Sequence, residues 1–185
     1  MSSKREFFKA FFTSRKVTGS VVPSSRFLTK KMLETVDFKS ARCIIELGPG
    51  TGVFTREILD QMSNECHLFV FELNEIFVNN LNESITDDRV HIILDSAEHM
   101  DYHLHKNGFQ EVDYIISSLP LTTIPLEIRE AILSASYNSL KKGGEFIQFQ
   151  YSLHQKKNLR KLFKQVDVSY TPLNFPPAFI YRCIK

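Results

Sequence analysis

The amino-acid sequence predicts an α/β fold in which helices cover both faces of a mostly parallel β-sheet. From residue 41 onwards, short and nearly continuous apolar runs alternate with segments whose apolar residues recur at helical spacing. Such runs are typical of strands buried on both faces, as in a parallel sheet between two helical layers. A glycine-rich segment, residues 46–52, joins the first apolar run to the first helical segment.

Seven strands and four helices are predicted from this pattern. The strands are expected at residues 43–47, 67–71, 90–94, 112–117, 145–151, 166–170 and 178–183. The helices are expected at residues 51–62, 74–85, 126–140 and 154–163. Pro125 suits the first turn of the third helix, and Lys142, Gly143 and Gly144 are expected to end it. No helical segment separates the last two strands, so we expect an antiparallel pair at the end of the sheet.

The composition is that of a single globular domain. Of the 185 residues, 43% are hydrophobic and 24% are charged, which excludes a disordered or fibrous protein. No run of 18 apolar residues is present, and the N-terminal segment lacks the pattern of a secretory signal. Cys43, Cys66 and Cys183 are an odd set without a CxxC pair, so neither a zinc site nor a disulfide framework is expected. We expect buried thiols in a cytoplasmic protein.

Positive charge is concentrated near the N-terminus. The first 31 residues contain eight Lys or Arg residues and one Glu, whereas the remaining residues contain 15 basic and 20 acidic ones. We therefore divide the chain into a basic N-terminal arm, residues 1–30, and a body, residues 31–185. A basic arm on a mildly acidic body indicates an anionic partner, either a lipid surface or a nucleic acid.

The arm has the pattern of a basic amphipathic helix. Phe7, Phe8, Phe11 and Phe12 lie on one side of a helical wheel, with basic residues around them. Such a helix can lie in a bilayer interface with its cations on anionic headgroups; the alternative is that its phenylalanines pack on the body. A later basic segment is either a second lipid contact or a solvated helix face. Its cations are Lys156, Lys157, Arg160, Lys161 and Lys164.

The segment Glu46-Leu47-Gly48-Pro49-Gly50-Thr51-Gly52 predicts a ligand-binding loop. Glycines lack Cβ atoms, so the backbone can turn sharply and approach a ligand. Open parallel sheets bind ligands beyond the carboxyl ends of their strands. A dinucleotide site would need its third glycine one residue later, where Val53 stands. The spacing weakens the dinucleotide interpretation, and a glycine-rich connection without function is the alternative.

Two carboxylates follow the next two predicted strands. Glu72 ends the second strand, about 20 residues past the glycine loop, where a carboxylate can accept hydrogen bonds from both hydroxyls of a ribose. Asp95 follows the third strand and can accept from an adenine amino group. The alternatives are a solvated strand-end glutamate for Glu72 and a helix cap for Asp95.

Together, E-L-G-P-G-T-G, the glutamate after the second strand and the D-S-A after the third resemble the class I S-adenosylmethionine-dependent methyltransferases. The resemblance covers residues 20–185 and implies a Rossmann-like, seven-stranded sheet of order 3-2-1-4-5-7-6 with its last strand antiparallel. It implies S-adenosyl-L-methionine as the cofactor, with Glu46 supporting its ammonium and Glu72 holding its ribose. Arg26 would pair with its carboxylate or with a lipid phosphate, or is a surface arginine. The implied cofactor-binding residues are Arg26, Glu46, Gly48, Gly50, Thr51, Gly52, Glu72, Leu73, Asp95, Ser96, Ala97 and Ser117.

The loop after the fourth strand distinguishes two subfamilies. The rRNA adenine dimethyltransferases, which the chain also resembles, carry N-L-P-Y there; the amide and carbonyl of this motif hold the adenine amino group and the aromatic ring stacks on the base. Here Ser118 replaces the asparagine and Leu121 the tyrosine, which removes what base recognition needs. Residues 19–26, 117–125 and 174–181 are instead similar to bacterial phospholipid N-methyltransferases, which methylate phosphatidylethanolamine. This similarity implies an enzyme held peripherally at the inner face of the cell membrane.

Methyl transfer to an ethanolamine ammonium first requires loss of a proton, because only the neutral amine is a nucleophile. A general base helps, but desolvation of the ammonium can suffice. The candidate catalytic residues are Tyr151 and His154, after the fifth strand, and Ser118. His103 and His105 are expected at the opposite edge of the sheet, and no metal-ligand spacing is present. The open alternatives are a nucleic-acid adenine N-methyltransferase and a non-catalytic cofactor-binding module at a membrane.

Overall fold

The structure, a computed structural model, describes residues 25–185, which form seven strands and six α-helices. In chain order these are α1 Arg26–Leu33, β1 Cys43–Leu47, α2 Val53–Gln61, β2 His67–Glu72, α3 Glu75–Ser84, β3 Val90–Leu94, α4 Met100–Lys106, β4 Val112–Ser117, α5 Leu126–Ser139, β5 Leu140–Gln150, α6 Lys156–Leu162, β6 Gln165–Thr171 and β7 Ala178–Ile184. A 3₁₀ turn, Ala97–His99, precedes α4. All predicted strands and helices are present, whereas α1 and α4 are helices that the sequence pattern did not indicate.

The seven strands form one sheet of order β3-β2-β1-β4-β5-β7-β6. β1 pairs in parallel with β2 and β4, β2 with β3, and β4 with β5. β7 runs antiparallel to both β5 and β6. The predicted strand order and the antiparallel final pair are confirmed. Because β1 to β5 are parallel, their carboxyl ends meet at one edge of the sheet, which we call the carboxyl edge.

Helices pack on both faces of the sheet, because successive strand residues point to opposite faces. Ile44 packs with α1 and α2, where Leu28 and Ile58 are fully buried. Its neighbour Ile45 packs with α4 and α5, where Met100 is fully buried. Both faces therefore need apolar side chains, which explains why the strands are continuous apolar runs rather than alternating ones.

α1 crosses the predicted boundary between arm and body at residues 30 and 31. Ser25 caps this helix, since its side chain accepts a hydrogen bond from the Leu28 amide. Leu28 and Met32 are buried in the core, so the packed body includes residues from 26 onwards. The four phenylalanines of the predicted amphipathic helix lie outside the described residues.

β5 begins five residues earlier than predicted. Its first residue, Leu140, pairs with Val112 before the register shifts, so Gly143 and Gly144 lie within the strand rather than at a helix end. The Gly143 amide donates to the Lys185 carbonyl and the Lys185 amide to the Gly144 carbonyl, both over 3.1 Å. The prediction was wrong because a glycine pair that ends a helix and one that lets a strand bulge look alike in local sequence.

Within residues 25–185, no helix has both the length and the apolar composition that a bilayer span requires. Nor do His, Cys, Asp or Glu side chains of this part of the chain form a group of three that could hold a metal ion. Cys43, Cys66 and Cys183 are free thiols in the protein interior. Burial raises the pKa of Cys66 to about 11, so this thiol stays protonated and serves packing.

A buried carboxylate joins the starts of neighbouring strands. Asp113, in β4, accepts hydrogen bonds from the backbone amides of Arg42 and Cys43 over 2.7 and 3.0 Å. It also pairs with Lys141 in β5. Burial by itself would raise the pKa of Asp113, but Lys141 and the two amides outweigh it and hold this pKa below its ordinary value. The charged carboxylate thus stabilises the junction of β1, β4 and β5.

Asp113→Asn should lower the free energy of unfolding by about 2 kcal/mol, because the amide loses the charge that pairs with Lys141 and one of its acceptor oxygens. The matched control is Asp88→Asn at an exposed position, which should change this free energy by less than about 0.5 kcal/mol. Urea unfolding of both variants measures the difference. Equal midpoints for the two variants would show that Asp113 does not stabilise the strand junction.

Candidate functional site

A crevice opens at the carboxyl edge. Its lining comes from the residues at and after the ends of β1 to β4 and from α5. The lining residues are Gly48, Phe71, Glu72, Leu73, Asp95, Ser96, Ala97, Leu119 and Ile132. Six of these nine were predicted from the sequence as cofactor-binding residues: Gly48, Glu72, Leu73, Asp95, Ser96 and Ala97. The structure therefore brings the glycine loop and the two strand-end motifs together around one space.

Gly50 and Gly52, in the loop between β1 and α2, are glycines for different reasons. Gly52 has a φ of 79°, and a Cβ on it would lie 2.6 Å from the Leu81 side chain. Gly50 has a φ of 55°, and a Cβ on it would meet nothing within 4 Å. Close packing therefore explains Gly52, whereas Gly50 presents bare backbone to open space, as a ligand-binding loop requires.

Glu72 is buried at the end of β2, and backbone amides hold its carboxylate. Oε1 accepts from the amides of Leu73 and Asn74 over 2.7 and 2.9 Å, and Oε2 accepts from the amide of Gly50 over 3.4 Å. Burial raises the pKa of Glu72, and these amides oppose the rise. The contact with Gly50 ties the carboxylate to the glycine loop. Its remaining lone pairs can accept from hydroxyl groups of a ligand.

Glu46 is fully buried in β1, and neither of its oxygens has a hydrogen-bond partner among the described residues. Burial raises the pKa of Glu46 to about 8, and the Glu72 carboxylate adds to the rise. Thr55 lies close enough to oppose it, although within residues 25–185 its hydroxyl makes no hydrogen bond of standard geometry. Buried oxygens without hydrogen-bond donors lower the stability of the fold. A ligand that donates a hydrogen bond to this carboxyl group would remove that cost.

Asp95 lies in the crevice lining between two histidines. Oδ1 is 3.0 Å from Nδ1 of His99, and Oδ2 is 2.9 Å from Nε2 of His103. Burial by itself would raise the pKa of Asp95, but the hydrogen bonds from His103 and His99 outweigh it and lower this pKa. The alternative that Asp95 caps a helix is wrong, because Ser96 is the cap and accepts from the Glu98 amide. Asp95 is therefore a charged acceptor in the crevice.

The prediction that His103 lies at the opposite edge of the sheet is wrong. Its ring packs edge-on against Phe71, with centroids 5.6 Å apart, and its Nε2 reaches Asp95. Both contacts lie at the ends of β2 and β3. The prediction placed His103 there because it precedes β4 in sequence, whereas α4 brings it back to the carboxyl edge.

Two buried glutamines fix the loop after β4. The Leu119 carbonyl accepts hydrogen bonds from the side-chain amides of Gln148 and Gln150 over 3.0 and 2.9 Å. A carbonyl oxygen has two lone pairs, so this one is fully occupied. Two residues later, Leu121 is fully buried in the core and offers no surface for stacking.

Six predicted cofactor-binding residues lie outside the crevice lining. Besides Glu46, Gly50 and Gly52, these are Arg26, Thr51 and Ser117. Arg26 is exposed in the first turn of α1, and Thr51 is exposed in the glycine loop. Ser117 is fully buried at the end of β4, where its hydroxyl accepts from the Leu119 amide over 3.4 Å. Ser117 therefore supports a lining residue, whereas Arg26 and Thr51 face solvent.

The three candidate catalytic residues also lie outside the lining. Tyr151 is half-exposed after β5, and its ring packs edge-on against Phe149. His154, on the same loop, is exposed, and its Nδ1 lies 2.9 Å from the Ser152 hydroxyl. Ser118 is next to the lining residue Leu119. All three follow strands that end at the carboxyl edge.

The sequence did not identify four residues at this site. Phe71, Leu119 and Ile132 line the crevice, and His103 contacts Asp95. His99 is a candidate from its sequence position soon after Asp95, and its Nδ1 contacts that carboxylate. The spacing of the two histidines, four residues apart, was the available signal, because it places them on one side of a helix. No sequence signal distinguished Ile132, since it is one apolar position among several in α5.

Comparisons with known proteins agree with this geometry. A family model described as a methyltransferase domain matches residues 44–144, from β1 into β5. An ornithine lipid N-methyltransferase from Singulisphaera acidiphila is 26% identical over 179 residues, which cover 96% of this chain and 93% of that protein. The region similar to this relative therefore extends beyond residues 44–144 in both directions.

Solved structures share the fold at lower identity. Precorrin-6y C5,15-methyltransferase from Geobacter metallireducens GS-15 has a TM-score of 0.71 at 12% identity, covering 90% of this chain and 93% of that one. The 1,6-didemethyltoxoflavin-N1-methyltransferase from Burkholderia thailandensis, solved with S-adenosylhomocysteine, has a TM-score of 0.70 at 14% identity, covering 98% and 86%. With the family match spanning more than half of the 185 residues, the chain belongs to the methyltransferase-domain family and is a class I S-adenosylmethionine-dependent methyltransferase.

Proposed function

We propose that this enzyme transfers methyl groups to the primary amine of a lipid headgroup at a membrane surface, with phosphatidylethanolamine-type phospholipids as the first acceptor to test. The relative from Singulisphaera acidiphila, which aligns with 96% of the chain, is named for N-methylation of an ornithine lipid. Ethanolamine and ornithine headgroups share a primary amine held at the lipid–water interface. The shared chemistry, an interfacial amine, is what we infer for this chain.

The residues at the crevice fit S-adenosylmethionine. The unpartnered carboxyl group of Glu46, in β1 outside the crevice lining, offers acceptors for an ammonium group. A Cβ on Gly50 would meet open space, so this part of the loop can approach a ligand. Glu72 retains lone pairs for ribose hydroxyls, and Asp95 offers a charged acceptor for an adenine amino group. When bound, the cofactor supplies a sulfonium methyl group to the acceptor nitrogen. The protein's own contribution is to orient the reactants and to exclude water.

The occupied carbonyl of Leu119 is the observation that most favours a lipid amine over a nucleic-acid base. An adenine amino group would need a carbonyl acceptor in this loop, and both lone pairs of this one are taken by Gln148 and Gln150. The base would also need an aromatic platform, whereas Leu121 is buried. A flexible alkylamine needs neither feature.

Desolvation supports the required loss of a proton from the acceptor. Glu72 and Asp95 are the ionisable side chains of the crevice lining, and both are engaged with other groups of the protein. The other side chains of the lining are mostly apolar, with Ser96 as the exception: Phe71, Leu73, Ala97, Leu119 and Ile132. An apolar surrounding lowers the pKa of an ammonium group and so favours the neutral amine. Tyr151, His154 and Ser118 remain the proposed residues on the acceptor side.

The basic arm is proposed to hold the enzyme on the inner face of the cell membrane. Its seven cations and the four phenylalanines of its predicted amphipathic helix suit an anionic lipid surface. The alternatives are a nucleic-acid adenine N-methyltransferase, in which the arm contacts phosphates, and a membrane-associated module that binds the cofactor without catalysis.

Transfer of labelled methyl from S-adenosylmethionine distinguishes these functions. We expect label in phosphatidylethanolamine or an ornithine lipid when the enzyme is given each lipid in vesicles, and none in rRNA. Mass spectrometry of the product identifies the methylated nitrogen. Label in rRNA alone would establish the nucleic-acid function, and cofactor binding without label in any acceptor would establish the non-catalytic module.

Glu72→Gln should weaken cofactor binding about tenfold to a hundredfold, because hydrogen bonds from ligand hydroxyls to a charged acceptor are worth about 1.5–3 kcal/mol. Glu75→Gln is the matched control, since Glu75 is exposed three residues later. Calorimetric titration with S-adenosylmethionine measures both dissociation constants. If the two variants bind equally well, Glu72 does not contact the ribose.

Glu46→Gln should make stability less dependent on pH. Between its ordinary pKa of 4.5 and about 8, folded Glu46 keeps a proton that the unfolded chain releases, so the free energy of unfolding falls as pH rises. The variant lacks this loss and should be more stable than the parent by roughly 3–5 kcal/mol at pH 8, with little difference near pH 5. Urea unfolding at both pH values tests this, and an equal difference at both would exclude titration of Glu46. The variant should also bind the cofactor more weakly.

A further inference from the structure

Three large apolar side chains are exposed on the two loops that follow β5 and β6. Leu153 is 45% exposed, Leu173 63% and Phe175 84%. We call these three residues the rim. Single exposed apolar residues are ordinary, but a group of them on adjoining loops beside a site indicates an interaction surface.

The two loops adjoin because β5 and β6 both pair with β7. Gln150 in β5 lies opposite Phe179, and Thr171 in β6 lies opposite the preceding residue, Ala178. The ends of β5 and β6 are thus two strand spacings apart, about 10 Å. Gln150 also donates to the carbonyl of the crevice residue Leu119. The rim therefore borders the side of the crevice that the β4 loop forms.

Buried polar groups hold both loops of the rim in place. Asn174, between Leu173 and Phe175, is buried, and its side-chain amide donates to the Pro176 carbonyl over 2.7 Å. The Tyr181 hydroxyl donates to the Ser152 carbonyl over 2.9 Å, next to Leu153. The fold thus directs polar groups inward and apolar groups outward in these loops, the reverse of the usual distribution.

Positive charge accompanies the rim. Residues 151–164, which include α6, contain no Asp or Glu. Lys157, Arg160 and Lys161 are exposed, and within residues 25–185 none of them forms an ion pair. Leu159 is the fully buried residue of this helix. Apolar side chains bordered by unpaired cations match an anionic lipid surface. The apolar side chains insert into the bilayer interface, and the cations are attracted to the anionic headgroups.

The basic arm joins the body beside the rim. The Ser25 amide donates to the side-chain oxygen of Asn174 over 3.3 Å, and Phe27 in the first turn of α1 is also exposed. Ser25, the first described residue, therefore lies next to the loop that carries Leu173 and Phe175. A surface that binds the arm can reach the rim as well.

We propose that the rim and the cations of α6 dock on an anionic bilayer leaflet, so that the acceptor side of the crevice opens toward the headgroups. This inference rests on the proposed lipid acceptor and names the part of the body that approaches the lipid. The docked surface consists of Leu153, Leu173, Phe175, Lys157, Arg160 and Lys161. It brings an interfacial amine to the crevice without removing the lipid from the bilayer.

The test compares three variants of the full chain for binding to vesicles of phosphatidylcholine and phosphatidylglycerol, which contain no primary amine. The rim variant combines Leu153→Ser, Leu173→Ser and Phe175→Ser, and should bind at least about tenfold more weakly than the parent. The charge variant combines Lys157→Gln, Arg160→Gln and Lys161→Gln, and should lose affinity for these vesicles but not for pure phosphatidylcholine. Ile76→Ser is the control. Ile76 is 55% exposed and follows β2, which is separated from β5 by β1 and β4 in the sheet.

Parental affinity of the rim variant would overturn the proposal, as would a loss no larger than that of Ile76→Ser. Loss of rRNA binding in the charge variant, with vesicle binding intact in both variants, would also overturn it and would identify a nucleic-acid surface. Thermal unfolding and S-adenosylmethionine binding should match the parent in every variant, which excludes misfolding as the cause.

A methylation assay separates this proposal from the proposed function. On a short-chain phosphatidylethanolamine that stays monomeric, the rim variant should keep the parental kcat/KM, whereas on vesicles it should lose activity in proportion to binding. Unchanged activity of the rim variant on vesicles would refute the docking role of the rim but not the proposed function. If the parent methylates no lipid in either form, the proposed function fails whatever the rim variant binds.

Discussion

Parallel pairing of β1 with β2 and β4 is the constraint on which the site depends. It brings the ends of four strands to one edge, where Gly48, Glu72, Asp95 and Leu119 surround a common space although they are far apart in sequence. Polar groups at this edge find their partners on other elements. Glu72 is held by the glycine loop, Asp95 by α4 and the Leu119 carbonyl by β5. Each of these groups is therefore held in place by a contact with a different element.

The same edge contains polar groups that the fold itself leaves unsatisfied. Within residues 25–185, both carboxyl oxygens of Glu46 and the side-chain oxygen of Gln148 are buried without a donor. A core selected for stability alone would replace such groups with apolar ones, because each costs free energy. Their presence in β1 and β5, on either side of β4, is consistent with selection for a ligand that supplies the missing partners.

The two ends of the carboxyl edge differ in chemistry. Around β1 to β3 the side chains are carboxylates held in defined positions, which suits a small, polar cofactor. The loops after β5 and β6 expose Leu153, Leu173 and Phe175, and the cations of α6 follow the first of them, which suits a lipid surface. One sheet can therefore present a water-soluble donor and an interfacial acceptor to each other, and the proposed function needs this division.

The sequence by itself determined the strands and the two strand-end carboxylates, because apolar runs, helical spacing and motif positions are local properties of the chain. The order of the strands was implied by the resemblance of these motifs to the class I methyltransferases. Only the tertiary structure decided what depends on a distant partner. Leu140 and the glycines after it join β5 because Val112 and Lys185 offer backbone groups to pair with. His103 reaches Asp95 because α4 folds back, and the Leu119 carbonyl is closed to a substrate because two glutamines of another strand bind it. Such contacts cannot be read from local sequence, since the hydrogen-bonding capacity of a residue does not specify which distant group will satisfy it.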